Sequence, residues 1–290
     1  MSDHLAKTHY PDCAQFLRTA IRENVRLARD TYRLRFDAPP IAQAIWPGQF
    51  LMLRLAGTDD PLLGRPLALY DTVRGPGGAP VGIDIVYMAL GKMTCRLAAG
   101  APGTALEVWG PLGNGFPPSQ GGHLVMVAGG IGYTPFLALA AEALGKRSYG
   151  RADRRGQCAE RATLCFGVRS AEYLPDLGDF ERLGVELCVA TEDGSAGHKG
   201  LVTELVPAVV QRSVRPCRIV ACGPEPMLEA TAHLAQSLGV PCLVSLESPM
   251  ACGVGACFSC VVKVRDADGG WDYRRACVDG PVFDAERIQF

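Results

Sequence analysis

The stretch His123-Leu-Val-Met-Val-Ala-Gly-Gly-Ile-Gly-Tyr-Thr-Pro-Phe136 decides the fold of the chain. Residues 123–128 form a continuous apolar run, which is typical of a strand buried in a parallel sheet. The glycine-rich turn Gly129–Gly132 follows, and an apolar helix is predicted over Phe136–Leu144. The order of strand, glycine turn and helix predicts one unit of a doubly wound α/β sheet.

Strands and helices continue to alternate downstream of this unit. Strands are predicted at Ala162–Val168, Val185–Thr191, Cys217–Ala221 and Cys242–Leu246, and helices at Leu201–Gln211 and Glu225–Leu238. This alternation predicts a parallel sheet with helices on both faces. The basic stretch Lys146–Arg161 is predicted to be a solvated loop, with part of a partner surface as the alternative.

Upstream, the chain breaks into short strands separated by proline and glycine. They are predicted at Thr31–Phe36, Gln49–Leu55, Ile83–Met88 and Ala105–Val108, with a turn over Ala44–Phe50. Short strands at regular spacing with turn signals between them predict a small antiparallel barrel. Residues 1–18 show no periodic pattern and are predicted to be a mobile lead-in.

Near the C-terminus the cysteines follow the C-x4-C-x2-C spacing of plant-type [2Fe–2S] proteins, with a distant fourth. The predicted ligands are Cys252, Cys257, Cys260 and Cys277. Four thiolates are needed because each iron takes two of them besides the bridging sulfides. Gly253 and Gly255 permit the left-handed backbone that a loop around a cluster needs. A zinc site or scattered core thiols are the alternatives, but zinc sites usually pair C-x2-4-C knuckles.

The sequence therefore predicts a lead-in and three domains. The lead-in covers residues 1–18, the barrel 19–118, the α/β domain 119–244 and the cluster domain 245–290. The last segment is too short for a full ferredoxin domain. We expect a compact cap that cluster ligation stabilises.

Composition narrows the class of protein further. The chain has 290 residues, 48% of them hydrophobic, and a net charge of −1, which gives no reason to expect a nucleic-acid partner. No apolar run reaches about 18 residues, so no membrane span is predicted. The N-terminus lacks the apolar core of a signal peptide, and with 12 cysteines a reducing cytoplasm is the predicted setting.

Eight cysteines lie outside the cluster motif. The eight are Cys13, Cys95, Cys158, Cys165, Cys188, Cys217, Cys222 and Cys242. Most of them are predicted to be small buried hydrophobes of apolar strands. Cys222 is the exception, because Cys222-Gly-Pro-Glu-Pro-Met227 ends a predicted strand at the sheet edge where ligands bind. Pro226 suits the first turn of the helix that follows.

Four motifs are candidates for cofactor contacts or junctions. Arg65, within Gly64–Tyr70, suits a phosphate, with a plain surface charge as the alternative. Thr94, within Gly91–Thr94, offers a hydroxyl, or else caps the next helix. The turn Gly129–Gly132 places a helix N-terminus where a diphosphate could bind. Gly110–Phe116 is predicted to be a domain junction.

Taken in order, these motifs resemble the ferredoxin reductase superfamily. Within it, the likeness is to the electron-transfer subunits of the NAD-dependent, B-type dihydroorotate dehydrogenases. It covers about residues 20 to 290 and rests on GPLGNGF (110–116), TEDGS (191–195), Lys199-Gly200 and CGVGACFSC with CVDGPVF (252–260 and 277–283). The resemblance implies FAD in the barrel, NAD on the α/β domain and a [2Fe–2S] cluster that faces a catalytic partner.

The resemblance also implies site residues. Flavin contacts would be Arg65, Pro66, Leu67, Ala68, Val86, Tyr87 and Met88, with Met93 and Thr94 along the diphosphate. Nucleotide contacts would be Gly129, Gly130, Gly132, Thr134, Gly223 and Pro224, and Cys222 would lie near the nicotinamide or simply pack. The chain departs from the family at Ala68, usually serine, and at Met93, usually glycine. Backbone groups can still supply much of the flavin contact.

The implied function is electron transfer in pyrimidine (UMP) biosynthesis. NADH gives up two electrons as a hydride, whereas the cluster accepts one at a time, so a flavin must lie between them. Electron transfer of this kind needs no general base in this chain. Its five histidines are not spaced as metal ligands would be. The base and a second flavin, FMN, would belong to a dihydroorotate-oxidising partner, in a heterotetramer with two of each subunit. The alternatives are a reductase subunit of a hydrogenase, sulfide dehydrogenase or bifurcating transhydrogenase, and a non-enzymatic zinc-stapled interaction module.

Overall fold

The structure, a computed structural model, describes residues 10–150, 154, 156–266 and 268–290. The chain forms a closed six-stranded barrel, a seven-stranded sheet and a two-stranded hairpin. The predicted combination of an antiparallel barrel, a parallel α/β sheet and a small C-terminal segment is confirmed. No helix among these residues is long and apolar enough to cross a membrane.

The barrel strands are antiparallel and close in the order β1-β2-β5-β4-β3-β6. Their bounds are β1 (Gln15–Ala28), β2 (Thr31–Asp37), β3 (Phe50–Leu55), β4 (Arg65–Arg74), β5 (Pro80–Met88) and β6 (Ala105–Leu112), with short helices α1 (Pro39–Ala44) and α2 (Lys92–Ala98). β1 begins inside the predicted lead-in, because Gln15 pairs with Gly110 of β6 and closes the barrel. The lead-in residues 1–9 lie outside the described part of the chain.

The second half is a parallel sheet in the order β10-β9-β8-β7-β11-β12, with β15 added at one edge. Its elements are β7 (His123–Gly129), α3 (Phe136–Ala143), β8 (Arg161–Val168), α4 (Gly178–Leu183), β9 (Glu186–Thr191), β10 (His198–Lys199), α5 (Val206–Gln211), β11 (Cys217–Cys222), α6 (Glu225–Ser237) and β12 (Cys242–Ser245). The helix predicted over Leu201–Gln211 divides into a 3-10 turn, Val202–Leu205, and α5. Proline in the first turn of α5 suits that start.

The C-terminal segment forms the hairpin β13 (Val261–Arg265) and β14 (Trp271–Arg275), and then β15 (Val282–Asp284). β15 pairs antiparallel with β12, so it is a strand of the nucleotide sheet. Because the end of the predicted cap completes another sheet, the cap is more closely joined to the α/β half than its sequence indicated. The exact domain boundaries remain a prediction.

Helices cover both faces of the parallel sheet, as predicted. α3 and α4 bury Phe136 and Phe180 on one face, and α5 and α6 bury Val209 and Leu228 on the other. A separate core fills the barrel. A small fourth cluster joins the barrel residues Phe50, Met52 and Leu112 to the cluster cysteines Cys260 and Cys277.

The basic stretch Lys146–Arg161 is less solvated than predicted, although residues 151–153 and 155 lie outside the described part. Tyr149 is buried in the barrel core, and its hydroxyl donates to Asp71 on β4 over 2.8 Å. Arg147 pairs with the same carboxylate. Arg154 forms a two-point pair with Glu142, at 2.9 Å for each bond. The stretch therefore connects the α/β half to the barrel.

Candidate functional site

The order of the parallel strands defines a crevice between β7 and β11. From β7 the chain runs outward to β8 and β9, whereas β11 and β12 lie on the opposite side. Ligands of open α/β sheets bind at such a switch point, beyond the carboxyl ends of the strands. The two predicted nucleotide motifs lie at this point, because Gly129 ends β7 and Cys222 ends β11.

The glycine turn after β7 packs directly against the loop after β11. A Cβ on Gly132 would lie 2.1 Å from the carbonyl oxygen of Cys222, and one on Gly129 would lie 2.7 Å from Met227 Sδ. Gly130 has a φ of +54° and no atom within 4 Å of its Cβ position. Two glycines thus allow the loops to touch, and the third leaves open backbone toward the crevice.

The route from this turn into α3 differs from the prediction. Gly130–Tyr133 form a 3-10 helix before α3 begins, and Thr134 is buried with its N–H bonded to the carbonyl of Ile131. On the opposite loop, Pro224 lies in the N-cap position of α6 and is exposed, while Gly223 has a φ of +152°. The structure therefore brings together the six predicted nucleotide residues, and their contacts with NAD remain a prediction.

The thiol of Cys222 is enclosed at the end of β11. Only 5% of the residue is exposed, and burial raises the pKa of the thiol well above its ordinary range. A hydrogen bond with Ser245, at the end of β12, partly opposes this shift. A neutral thiol held in this way can pack against a ligand, but it is a poor nucleophile.

The predicted flavin residues lie on β4, β5 and α2, and their side chains point in different directions. Arg65, Pro66, Leu67 and Ala68 are partly exposed, and so is Met88. Val86 packs on the α/β side of β5. Tyr87 and Met93 point into the barrel core, with 1% exposure each, so their side chains are not exposed to a cofactor.

Two polar side chains of this group have local partners. Arg65 Nη1 donates to the carbonyls of Leu63 and Gly64, at 3.0 and 3.1 Å, and it pairs with no carboxylate in the described part of the chain. Its charge is therefore available to a phosphate. Thr94 Oγ1 accepts from the N–H groups of Leu90 and Gly91, at 3.1 Å each, which confirms the helix-capping role.

Tyr133 provides an independent indication of a ligand between barrel and sheet. Its ring meets that of Tyr70 on β4 edge-on, with centroids 6.1 Å apart. Its hydroxyl is buried and has no hydrogen-bond partner among the described residues. Buried hydroxyls are normally paired with protein, water or ligand, so a bound cofactor fits this location.

The four cluster cysteines lie together in two pairs. The sulfurs of Cys260 and Cys277 are 3.3 Å apart, and Cys252 is close enough to Cys257 to help lower the pKa of its thiol. Each iron of a [2Fe–2S] cluster takes two thiolates, so two pairs fit its ligand set. No three His, Cys, Asp or Glu side chains in the described ranges are arranged to hold one metal ion.

The cysteines differ in how easily they ionise. A hydrogen bond with Ser259, 3.1 Å away, lowers the pKa of the exposed Cys257 to about 6. Burial raises the pKa of Cys277 to about 12. Both glycines of the loop have positive φ, +74° at Gly253 and +83° at Gly255, as the sequence predicted.

The cluster loop rests on the barrel. Trp109 Nε1 on β6 donates to the carbonyl of Cys252 over 2.9 Å. A Cβ on Gly253 would lie 2.6 Å from Met52 Cγ on β3. Met52 is the register partner of Pro66 on β4. The cluster loop and the predicted flavin strand are therefore separated by a single barrel strand.

Asn114 joins the barrel to the segment after Cys277, and the sequence had indicated only a junction here. Its side-chain Nδ2 donates to the carbonyls of Asp279 and Val282, at 3.1 and 2.7 Å, and Oδ1 accepts from the N–H of Val282. Its backbone N–H donates to Gly280. The glycine-rich motif around Asn114 was the available signal, because Gly113 leaves room for Pro281 at this contact.

Comparisons with known proteins agree with this arrangement. Residues 247–289 match the family model of the iron–sulfur cluster binding domain of dihydroorotate dehydrogenase B. The chain is 36% identical over 275 residues to the dihydroorotate dehydrogenase B (NAD(+)) electron transfer subunit of Caldanaerobacter subterraneus subsp. tengcongensis, covering 94% of this chain and 98% of that protein. The subunit of the same name from Bacillus caldolyticus is 37% identical, covering 90% and 94%.

Solved structures show the same fold. One is an NADH-dependent reduced ferredoxin-NADP oxidoreductase, solved for insights into flavin-based electron bifurcation. It superposes with a TM-score of 0.77 at 30% identity, covering 93% of this chain and 89% of the other. The cytochrome b5 reductase domain of Ulva prolifera nitrate reductase has a TM-score of 0.57 at 17% identity, covering 78% and 93%. The second likeness concerns the fold alone.

Proposed function

Because the chain belongs to the family of dihydroorotate dehydrogenase B (NAD(+)) electron transfer subunits, we propose that it carries electrons between a dihydroorotate-oxidising partner subunit and NAD. Its cofactors are FAD and a [2Fe–2S] cluster, and its role lies in pyrimidine biosynthesis. One observation carries the proposal. The cluster loop, the β4 flavin motif and the switch-point crevice all meet around one side of the barrel.

When bound, FAD supplies hydride exchange with NAD and single-electron exchange with the cluster. The protein holds these groups in place. Arg65, which has no acidic partner in the part of the chain described, would neutralise a flavin phosphate. Gly130 would let a nucleotide diphosphate approach the backbone at the crevice. Trp109 fixes the cluster loop against β6 through the carbonyl of Cys252.

The partner is the catalytic subunit of the same enzyme. It would hold FMN and the base that takes a proton from dihydroorotate. We place the complex in the cytoplasm, as a heterotetramer with two copies of each subunit. The exposed side chains of Phe258 and Val254, on the cluster loop, would face that partner.

A second candidate function follows from the structural likeness to the NADH-dependent reduced ferredoxin-NADP oxidoreductase. That protein matches at 30% identity over 93% of this chain. A reductase subunit of such a bifurcating complex would need the same fold and cluster, but a different partner and electron donor.

The test is co-expression with the dihydroorotate dehydrogenase catalytic subunit of the same organism. We expect the two chains to copurify and to reduce NAD with dihydroorotate, whereas neither chain alone does so. A Cys158→Ser variant, altered at an exposed cysteine away from the cluster, should behave as wild type. Failure to copurify, together with NADPH- and ferredoxin-dependent NAD reduction in another complex, would favour the second function.

A further inference from the structure

A pair of cysteines outside the cluster lies on neighbouring strands of the parallel sheet. Cys165 of β8 is the register partner of Cys188 of β9. Both contribute to the apolar cluster on the same face of the sheet. Paired residues of adjacent strands are about 4.8 Å apart, and disulfides usually span about 4.4–6.8 Å between Cα atoms. The strands therefore hold two thiols at disulfide distance.

The two thiols have unequal surroundings. Cys165 is fully buried, whereas Cys188 is partly exposed. Arg212, just after α5, places Nη2 3.7 Å from Cys188 Sγ. The hydrogen bond from Cys165 lowers the pKa of Cys188, and Arg212 lowers it further, against burial and the Glu186 carboxylate. The same hydrogen bond, and then burial, raise the pKa of Cys165.

A polar network holds Arg212 in this position. Glu186, at the start of β9, pairs with both Arg212 and Arg161. Thr163 donates to the same carboxylate over 3.1 Å and contacts His123 Nε2 at 2.9 Å. The arginine beside Cys188 is therefore fixed by the sheet. Accessible thiols beside a cation are the ones that oxidants attack, and a neighbouring thiol can resolve the product.

We propose that Cys165 and Cys188 are a peroxide-sensitive thiol pair, in which Cys188 reacts with a hydroperoxide and Cys165 closes a disulfide across β8 and β9. The thiolate of Cys188 attacks one peroxide oxygen, the O–O bond breaks, and hydroxide leaves and takes a proton to form water. The Cys188 sulfenic acid that results has lost two electrons to the peroxide.

Cys165 then completes the reaction. Its sulfur attacks Cys188 Sγ, the S–O bond breaks, and the hydroxyl leaves as water with the proton of Cys165. In total, two thiols and one hydrogen peroxide give one disulfide and two waters. Cys13, Cys95 and Cys158 are exposed, free of disulfides and located outside β8 and β9. They therefore serve as internal comparisons.

Peptide mapping of the full, cofactor-loaded chain tests the proposal directly. The chain is treated with hydrogen peroxide, free thiols are blocked with N-ethylmaleimide in denaturant, and trypsin is added without reductant. Cleavage after arginine and lysine places Cys165 alone in residues 162–169 and Cys188 alone in residues 183–199. We expect these two peptides linked, at a mass two hydrogens below their sum. The readout does not depend on iron content or activity.

Three variants separate the roles. In Cys165→Ala, Cys188 should remain a sulfenic acid that dimedone traps on residues 183–199. In Cys188→Ala, residues 162–169 should stay unoxidised. Arg212→Met should slow disulfide formation about twofold at pH 7, the fall in thiolate fraction when a pKa of about 6 rises by one unit. Cys95→Ala, the matched control, should oxidise at the wild-type rate.

Two results would overturn the proposal. One is an unmodified Cys188 at a peroxide dose that already oxidises Cys95 and Cys158. The other is a disulfide from Cys188 to any cysteine except Cys165. Both of these results are measured on the wild-type chain, so they do not depend on whether a variant folds.

Discussion

The four cluster cysteines show how differently single residues contribute to one site. Cys260 and Cys277 are buried against the barrel, Cys252 is half-buried, and Cys257 is exposed. The buried pair is held by surrounding apolar side chains, while the thiol of Cys257 contacts the nearby Ser259 hydroxyl. Loss of the exposed ligand should therefore disturb the surrounding structure least.

Replacing Cys257 with Ser should abolish the iron–sulfur absorbance while FAD stays bound. The ligand pair with Cys252 would be broken, whereas the flavin residues lie on β4 and β5. Iron, acid-labile sulfide and flavin content are the measurements, with Cys158→Ser as the control. Two irons and two sulfides per chain in the variant would contradict the ligand assignment.

Cys222→Ala should slow flavin reduction by NADH several-fold while cluster content stays unchanged. The enclosed thiol lies at the switch point, beside the carbonyl that touches Gly132. Stopped-flow absorbance at saturating NADH is the measurement. Cys242→Ala, which removes a buried thiol at the start of β12, is the matched control. If both variants reduce flavin as fast as wild type, Cys222 only packs.

At the scale of elements, local patterns predicted most strands, and pairing with distant residues decided the rest. The apolar run of β7 and the glycine turn after it were readable, because burial and positive φ restrict residue choice locally. β1 extends to Gln15 and β15 joins β12 through partners far along the chain. Tyr149 is buried because Asp71 bonds its hydroxyl. A local pattern carries no information about such contacts.

The candidate site likewise combines features that local patterns predicted with features that depend on distant contacts. Spacing alone indicated the cluster cysteines, and the strand–turn–helix pattern indicated the crevice. The inward direction of Tyr87 and Met93 depends on barrel closure. The role of Asn114 depends on carbonyls more than 160 residues away. These features had no signal beyond a glycine-rich motif.

Asn114→Ala should destabilise the contact between β6 and the segment before β15. It would leave the buried N–H of Val282 and two carbonyls without their partner. The N–H and carbonyl of Val282 are buried, and each unpaired buried group costs about 1–3 kcal/mol, so we expect a loss of roughly 2–6 kcal/mol. Urea unfolding measures it, and Gln211→Ala, at an exposed site on α5, is the control. Equal midpoints for the two variants would contradict this role.

His123, at the start of β7, should make stability depend on pH. Burial lowers the pKa of its imidazole to about 4, against about 6.5 in an unfolded chain. Between these values the unfolded state binds more protons, so stability is complete above pH 6.5 and falls as the pH drops toward 4. From pH 7 to pH 5 the loss should be about 2 kcal/mol.

Urea unfolding of wild type and His123→Gln at both pH values isolates this contribution. The variant should lack that part of the pH dependence, because glutamine does not titrate. Other groups titrate equally in both proteins and cancel in the difference. Equal pH dependence in wild type and variant would show that His123 keeps its ordinary pKa in the fold.

At the scale of the whole molecule, we expect the edge of the sheet beyond β8 and β9 to decide which nucleotide is used. The N–H groups of Glu192 and Asp193 donate to the carbonyls of Val168 and Arg169, so the two loops lie side by side. Bonds from the hydroxyl and N–H of Ser195 lower the pKa of Asp193. The edge therefore carries a carboxylate next to the exposed Arg169.

NADH should be preferred over NADPH by at least about tenfold in kcat/KM. A carboxylate beside the 2′-phosphate of NADPH repels its like charge, whereas NADH has no such phosphate. Arg169 offsets only part of this. Diaphorase assays with both nucleotides are the measurement. The double variant Glu192→Gln, Asp193→Asn should lower the ratio of kcat/KM for NADH to that for NADPH. The control Glu181→Gln, at an exposed site on α4, should leave this ratio unchanged. A higher value for NADPH would reverse the assignment.

The pairing of β15 with β12 also fixes an order of events during synthesis. The ribosome releases the barrel and six strands of the parallel sheet before Val282 leaves the exit tunnel. Until then, β12 has an unpaired edge and Asn114 lacks its partners. Those partners follow directly after Cys277, the last cluster ligand in the chain. Translation therefore delivers the final thiolate and the strand that closes the sheet at almost the same moment.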